Sequence, residues 1–317
     1  MPEVELAAVA EQNEKALSGD LSAAGGNLGR EAGAFDFSRA AKFTDWRNMM
    51  IESDVDAVDI CLPTEFHYEA ALEALACGKH VLVEKPMALS AVDCAEMLAA
   101  AKRAGKTLMV AHVLRFWPEY LELRRFFDNA ESGAVKRARF LRRCALPDWS
   151  RWLPDEKRSG GAVLDLLIHD VDQALSLFGS PDEVECRSLG PVDTMDAVLH
   201  YRNGVDVELQ GGWYPSGTPF SMGFEIERAH GAMKLNEGRL QVRRALREGE
   251  GPSEAWEPAQ VAEGDGYRNE ISYFIQCCRE GRAPVRCLPE DSARAVELAL
   301  LLRQSRLEGG KRLPCRM

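Results

Sequence analysis

The chain of 317 residues has no run of about 20 apolar residues, so no segment of it reads as a membrane-spanning helix. It does not open on a basic segment followed by an apolar run, and neither secretion nor membrane insertion is expected. No Cys-x-x-Cys pair occurs among its nine cysteines, of which only Cys277 and Cys278 are adjacent. No set of His, Cys and Asp has metal-ligand spacing, so no metal is expected. Scattered thiols in odd number predict reduced cysteines in a cytoplasmic protein. Positive charge is scarce: 39 Lys and Arg stand against 50 Asp and Glu, a formal net charge of −11. That balance argues against nucleic acid or an anionic membrane as partner. It does not exclude a dinucleotide, because backbone amides bind phosphate locally. Internal repeats and low-complexity tracts are also missing.

What is present suits two domains. Near-continuous apolar runs at residues 4–10 (VELAAVA), 57–62, 80–83 and 107–111 predict strands buried on both faces, as in a parallel sheet. Between the second and third, Thr64 is placed to cap a helix and Gly78 to end it. Tyr68, Ala71, Leu72 and Leu75 form that helix's apolar face. Ser90 precedes a second helix, with Cys94, Met97, Leu98 and Ala101 on one side and Gly105 at its end. This alternation implies right-handed βαβ units and a doubly wound sheet over residues 1–113. Residues 18–39 read only as helix and loop. From residue 114 to 317 the pattern becomes α+β with a mainly antiparallel, open sheet. Residues 196–201 and 205–210 alternate around Asn203-Gly204, a strong hairpin signal. Short strands at 224–228, 232–235 and 240–243, a polar loop at 247–254, and helices at 267–279 and 289–306 complete the reading. One exposed sheet face offers a surface for a homo-oligomer, dimer or tetramer.

Two constellations carry chemistry. Glu84-Lys85-Pro86 follows a buried strand, and the carboxyl ends of parallel strands are where open α/β sheets bind ligands. A lysine there can stabilise charge developing on a substrate oxygen or relay a proton; taken alone, it can equally well lead the strand out into solvent. The proline makes a cis peptide possible. The second constellation is Gly160-Gly161 followed by Asp165, His169, Asp170 and Asp172. On one continuous helix Asp165 and His169 share a face, and Asp172 extends it. Leucines, Ile168 and Val171 fill the remaining directions, so the helix should be buried and its polar groups should have partners. The glycine pair lets a backbone or a ligand approach the helix start closely. Together the two suggest alcohol oxidation: His169 as general base, Lys85 on the same oxygen, and Asp165 orienting the substrate or the imidazole.

The run CLPTEFHYEAALEALACGKHVLVEKPMALS, the segment AHVLRFWPEY, the GGxxxDxxxHDxD element, the YRNG hairpin and the closing PEDSARAVELALLLRQS occur in one order along nearly the whole chain. In these the chain resembles the glucose-fructose oxidoreductase/inositol dehydrogenase (Gfo/Idh/MocA) family. The resemblance implies a Rossmann-like domain and a nicotinamide-dependent oxidoreductase acting on a sugar, cyclitol or related polyol. It places Lys85, Asp165 and His169 at the catalytic positions. Thr64, Glu84 and Lys85 would lie near the nicotinamide, with Pro63 shaping that loop. His67 would help build the pocket or serve the helix start. Arg115, Trp149 and Trp152 would line the cofactor or substrate pocket or serve the structure, and His112 could do either. His80, His200 and His230 read as structural. Ala162 and Leu167 stand where many relatives have glycine, and Leu167 would narrow the pocket. Glu11, after the first strand, matches the acidic residue that binds the adenosine ribose, which favours NAD over NADP.

A family member should begin with another strand and a G-x-G-x-x-G turn. The chain begins almost at the second strand, and the glycines of residues 24–29 follow no strand and read as loop. The sheet is therefore expected to lack its first, central strand, through a late start codon or a real truncation, leaving residues 4–10 unpaired from 57–62. If the phosphate cradle is lost with it, the alternative function is a non-catalytic relative that binds a sugar or a protein partner.

Overall fold

The computed structural model describes residues 4–22, 25, 33–190, 192–244 and 255–317. Most of the glycine run 24–29 and the polar loop 247–254 lie outside the described residues. The strands are β1 (Ala8–Ala10), β2 (Ala41–Phe43), β3 (Ala57–Ile60), β4 (His80–Glu84), β5 (Leu108–Ala111), β6 (Val135–Ala145), β7 (Glu183–Arg187), β8 (Thr194–His200), β9 (Asp206–Tyr214), β10 (Ser221–Arg228), β11 (Gly231–Asn236), β12 (Arg239–Arg244), β13 (Glu257–Pro258) and β14 (Leu313–Pro314). The helices are α1 (Glu14–Leu17), α2 (Trp46–Glu52), α3 (His67–Ala76), α4 (Ala91–Ala104), α5 (Pro118–Asp128), α6 (Glu156–Ser159), α7 (Gly161–Asp165), α8 (Ile168–Phe178), α9 (Gly266–Glu280) and α10 (Pro289–Leu307).

The parallel strands fall into two groups that share no ladder, β1–β2 and β3–β4–β5. The first strand is shorter than its apolar run, because hydrogen bonding to β2 covers only Ala8–Ala10 while Val4 and Leu6 stay exposed. β2 (AKF) is too short to signal itself in the sequence. Among the described residues β1 and β3 share no ladder.

α3 and α4 pack on one face of β3–β4–β5, where Val58, Ile60, Val81, Val83, Leu108 and Val110 join the main core. α3 turns an alanine edge inward: His67, Ala70, Ala71, Ala74 and Leu75 are buried, while the bulkier Tyr68 and Leu72 flank the contact. Small side chains let the helix approach the sheet closely. Thr64 does not cap it; a 3₁₀ turn, Thr64–Phe66, comes first and makes no side-chain cap bond. Ser90 caps α4 through Asp93 N, and Gly105 ends it in the left-handed conformation. The other face of the parallel sheet, with Leu82, Met109 and Ala111, is covered by Ile271, Phe274 and Cys278 of α9. The doubly wound architecture is thus completed by a helix from the far end of the chain.

The large sheet has nine strands in the order β13-β12-β11-β10-β6-β9-β8-β7-β14, antiparallel except for β6–β9. The Asn203-Gly204 hairpin joins β8 to β9, with Gly204 at φ 81°. Its inner face packs on α8 and α10. Its outer face is laced by Arg137–Glu208 and Arg139–Gln210 at 3.2 and 2.8 Å. The edge strands β13 and β14 are two residues each, too short to template further pairing.

Residues 161–178 do not form one helix. Leu166 and Leu167 interrupt it, so α7 and α8 meet at a break. Asp170 follows in α8 and is buried against Arg142 of β6, which donates to both its oxygens at 2.8 and 3.1 Å. This pair sits between α8 and the centre of the large sheet. Removing one partner strands a buried charge, whereas a well-packed apolar pair avoids the desolvation altogether. Arg142→Met is therefore expected to destabilise the fold by about 3–5 kcal/mol, and Arg142→Met/Asp170→Leu to recover most of that loss. Urea unfolding followed by circular dichroism measures both; equal losses in the single and double variants would remove the pair from this role.

Candidate active site

Lys85 leaves the carboxyl end of β4, and the Lys85–Pro86 peptide is cis. The loop is held by His67, whose ring nitrogens face the carbonyls of Leu62 at 2.7 Å and Pro86 at 2.8 Å. Both partners are acceptors, so a neutral ring can satisfy only one of them. Burial pushes the His67 pKa down. His67 therefore ties the loop after β3 to the loop after β4 through both ring nitrogens. Thr64 is buried and Pro63 precedes it at the end of the same β3 loop. Glu84 accepts a bond from the Lys85 backbone N–H at 3.1 Å, and burial raises its pKa.

Lys85 Nζ reaches across to the helix break. It donates to the Asp165 carbonyl at 2.6 Å and to Asp165 Oδ1 at 2.9 Å. In an unbroken helix that carbonyl would accept from His169 N–H; here the break frees it for the ammonium. An ammonium has three donors, so one N–H remains beyond the two given to Asp165. The expected i, i+4 face shared by Asp165 and His169 is not formed as drawn. Lys85 instead brings Asp165 to the mouth of the parallel sheet.

His169 begins α8. Its Nδ1 is sealed from solvent without a partner, although the residue as a whole is only half-buried. Burial and the positive charges of Arg142 and Lys85 hold its pKa well below 6.5. The imidazole is thus neutral at physiological pH and able to accept a proton.

Other expected residues are committed elsewhere. Arg115 is buried, donates to both oxygens of Asp172 at 2.7–3.1 Å, and also bonds the Arg286 carbonyl and Asp291. Every nitrogen of its guanidinium is engaged, which makes it a strut under α8. Gly161 admits the Asp193 carboxylate, which accepts from Ala162 N at 2.7 Å and pairs with Arg306, while Gly160 makes room for the Leu164 side chain. Ala162 and Leu167 are fully buried, Leu167 in the main core. Trp152 packs half-buried beside Leu166 and Trp213, and Trp149 is half exposed against Gly25. Glu11 ends β1 exposed, with one oxygen accepting from Asn13 N at 2.7 Å.

Sequence reasoning did not single out Glu270, which belongs to α9 and faces the carboxyl ends of β3 and β4. It is 2% exposed, and its Oε1 has no partner. Only the tertiary fold brings it there; a glutamate in a mixed helix gives no local signal. Burial, with Glu84, Asp59 and Asp172 nearby, raises its pKa to about 9. Between about 4.5 and about 9 the folded protein keeps a proton that the unfolded chain has released, so stability falls as pH rises through that window. Glu270→Gln imitates the neutral acid. Thermal unfolding at pH 8 is expected to show the variant more stable than wild type by roughly 1–3 kcal/mol, with the difference vanishing toward pH 4. A constant difference across pH would contradict a protonated Glu270.

The profile described as "Oxidoreductase family, NAD-binding Rossmann fold" (GFO_IDH_MocA) matches residues 3–112, and the "GFO/IDH/MocA C-terminal domain" matches residues 120–233. D-glucoside 3-dehydrogenase of Escherichia coli (strain K12) is 35% identical over 48% of this chain and 44% of its own length. Inositol 2-dehydrogenase 2 of Saccharopolyspora erythraea is 29% identical over 80% of this chain and 75% of its own length. Against D-glucoside 3-dehydrogenase and two oxidoreductases of Bacillus subtilis and Schizosaccharomyces pombe, the chain spans about half of the relatives' length. The solved structure "Levoglucosan dehydrogenase, complex with NADH and levoglucosan" superposes with a TM-score of 0.82 at 21% identity, covering 98% of this chain and 90% of that one, a likeness of fold. Both halves match profiles of one family, the solved structure shares their fold, and the chain belongs to the Gfo/Idh/MocA family of oxidoreductases.

Proposed function

We propose that this chain is an NAD(P)-dependent oxidoreductase that moves a hydride between the nicotinamide and a sugar, cyclitol or related polyol. The observation that carries the reading is the Lys85 ammonium, fixed by Asp165 at 2.6 and 2.9 Å with one donor to spare, beside a neutral His169. The residues fit a dinucleotide at both ends: Pro63, Thr64, Glu84 and Lys85 at the carboxyl ends of β3 and β4, and the Glu11 carboxylate after β1 for the ribose. A bound nicotinamide would supply the hydride acceptor or donor. In the oxidation direction His169 Nε2 takes the hydroxyl proton, and the free Lys85 N–H holds the same oxygen as its charge grows. Asp165 keeps the ammonium aimed and offers Oδ2 to a neighbouring hydroxyl. Trp152 and the exposed side of Trp149 supply apolar surface for a sugar face. Self-association as a dimer or tetramer would use the outer face of the nine-stranded sheet.

A second reading is a non-catalytic relative that binds a sugar or protein partner. It is favoured by the phosphate end, since β1 shares no ladder with β3. The helix after β1 is only four residues long and is capped by Asn13.

Titration of the full chain with NADH and NADPH, followed by nicotinamide fluorescence, separates the two. NADH is expected to bind, and more tightly than NADPH because Glu11 repels a 2′-phosphate; failure of both would leave the second reading. For the chemistry, Lys85→Ala is expected to lower turnover of a sugar substrate by about 100-fold or more while the circular dichroism spectrum stays unchanged. Undiminished turnover would remove Lys85 from the mechanism.

A further inference from the structure

His112 follows β5 and is 1% exposed, yet neither of its ring nitrogens has a hydrogen-bond partner. Its Nδ1 lies 3.9 Å from Asp172 Oδ2, too far for a hydrogen bond but turned toward the carboxylate. Asp172 follows His169 by three residues within α8, so both project from one side of that helix. His112 therefore docks against the side of α8 that carries His169, whose Nδ1 is likewise buried and unpartnered. A neutral imidazole that accepts a proton at Nε2 must carry its own proton on Nδ1. That is the less favoured tautomer of free histidine, and buried it needs an acceptor. We propose that His112 is the positioning residue for His169: its Nδ1–H faces Asp172, and its Nε2 accepts, through one buried water, from Nδ1–H of His169.

This run from Asp172 through His112 to His169 gives a role to three otherwise orphaned nitrogens and leaves His169 Nε2 bare toward the cleft. The charged and titratable neighbours suit neutral rings. His112 faces Asp172, Arg115, Lys85 and Asp291, and its backbone meets the Cys287 thiol; His169 faces Arg142, Lys85 and His112. Burial, the largest influence, lowers the pKa of both. Asp172 is itself anchored by Arg115, so the strut under α8 sets the far end of the run.

The inference rests on the proposed use of His169 as a base, but its test needs neither substrate nor cofactor. The full chain, labelled with ¹⁵N-histidine, is examined by long-range ¹H–¹⁵N correlation at pH 7.5, with His169 assigned through His169→Gln. Wild type is expected to show His169 protonated on Nδ1. His112→Phe is expected to convert it to the Nε2–H or a mixed tautomer. His112→Gln, which keeps an acceptor in that position, is expected to retain Nδ1–H. In turnover, His112→Phe should lower kcat by about tenfold or more with KM nearly unchanged, and His112→Gln should recover much of it. A wild-type His169 protonated on Nε2 overturns the inference whether or not any variant folds, as does an unchanged tautomer in a folded His112→Phe. An inactive protein with the Nδ1–H tautomer would count against the dehydrogenase reading and leave this pairing standing.

Discussion

The structure depends on answering buried charge along residues 165–172. Three carboxylates project from α7 and α8 into surroundings dominated by leucine, isoleucine and valine, where an unpaired charge is prohibitively costly. Each is met by a cation from a different element: Asp165 by Lys85 after β4, Asp170 by Arg142 on β6, and Asp172 by Arg115 after β5. The pairs fix where α8 sits between the parallel sheet and the large sheet. Two are sealed, bidentate and structural. The third, Lys85–Asp165, is only partly buried and keeps a donor free, which separates it from the two that support the fold.

The break between α7 and α8 belongs to the same constraint. A continuous helix would occupy the Asp165 carbonyl, and Lys85 would have one anchor instead of two. Releasing that carbonyl costs a helical hydrogen bond and replaces it with a charge-assisted one to an ammonium, the stronger kind. Gly161, ahead of the break, lets Asp193 cap α7 and pair with Arg306 of α10, so the short helix is fixed at both ends. A short, doubly anchored segment holds its polar groups more rigidly than a loop would.

The parallel sheet is assembled in a complementary way. α3 and α4 cover one face, while α9, from the second half of the chain, covers the other and delivers Glu270 to the strand ends. The two halves are therefore not independent bodies joined by a linker. The carboxyl ends of β3, β4 and β5, where ligands of open α/β sheets bind, are walled by elements from both.

The sequence by itself determined most of the strands and helices, the change from parallel to antiparallel grammar after β5, the Asn203-Gly204 hairpin, and the two motifs, Glu84-Lys85-Pro86 and residues 160–172, that the fold brings together. These are local: hydrophobic period, turn chemistry and short motifs act over a few residues. The tertiary structure alone decided what needs partners distant in the chain. Arg115 and His67 carry good ligand chemistry in the sequence, and packing spends it on Asp172 and on two backbone carbonyls. Arg142 and Glu270 have no local signature, because what distinguishes them is burial beside particular charges. The break at Leu166–Leu167 is invisible to periodicity, since the competitor for the Asp165 carbonyl is a lysine 80 residues earlier. Charge compensation across such separations is a property of the folded molecule, and here it decides which of several similar polar residues are left free to act.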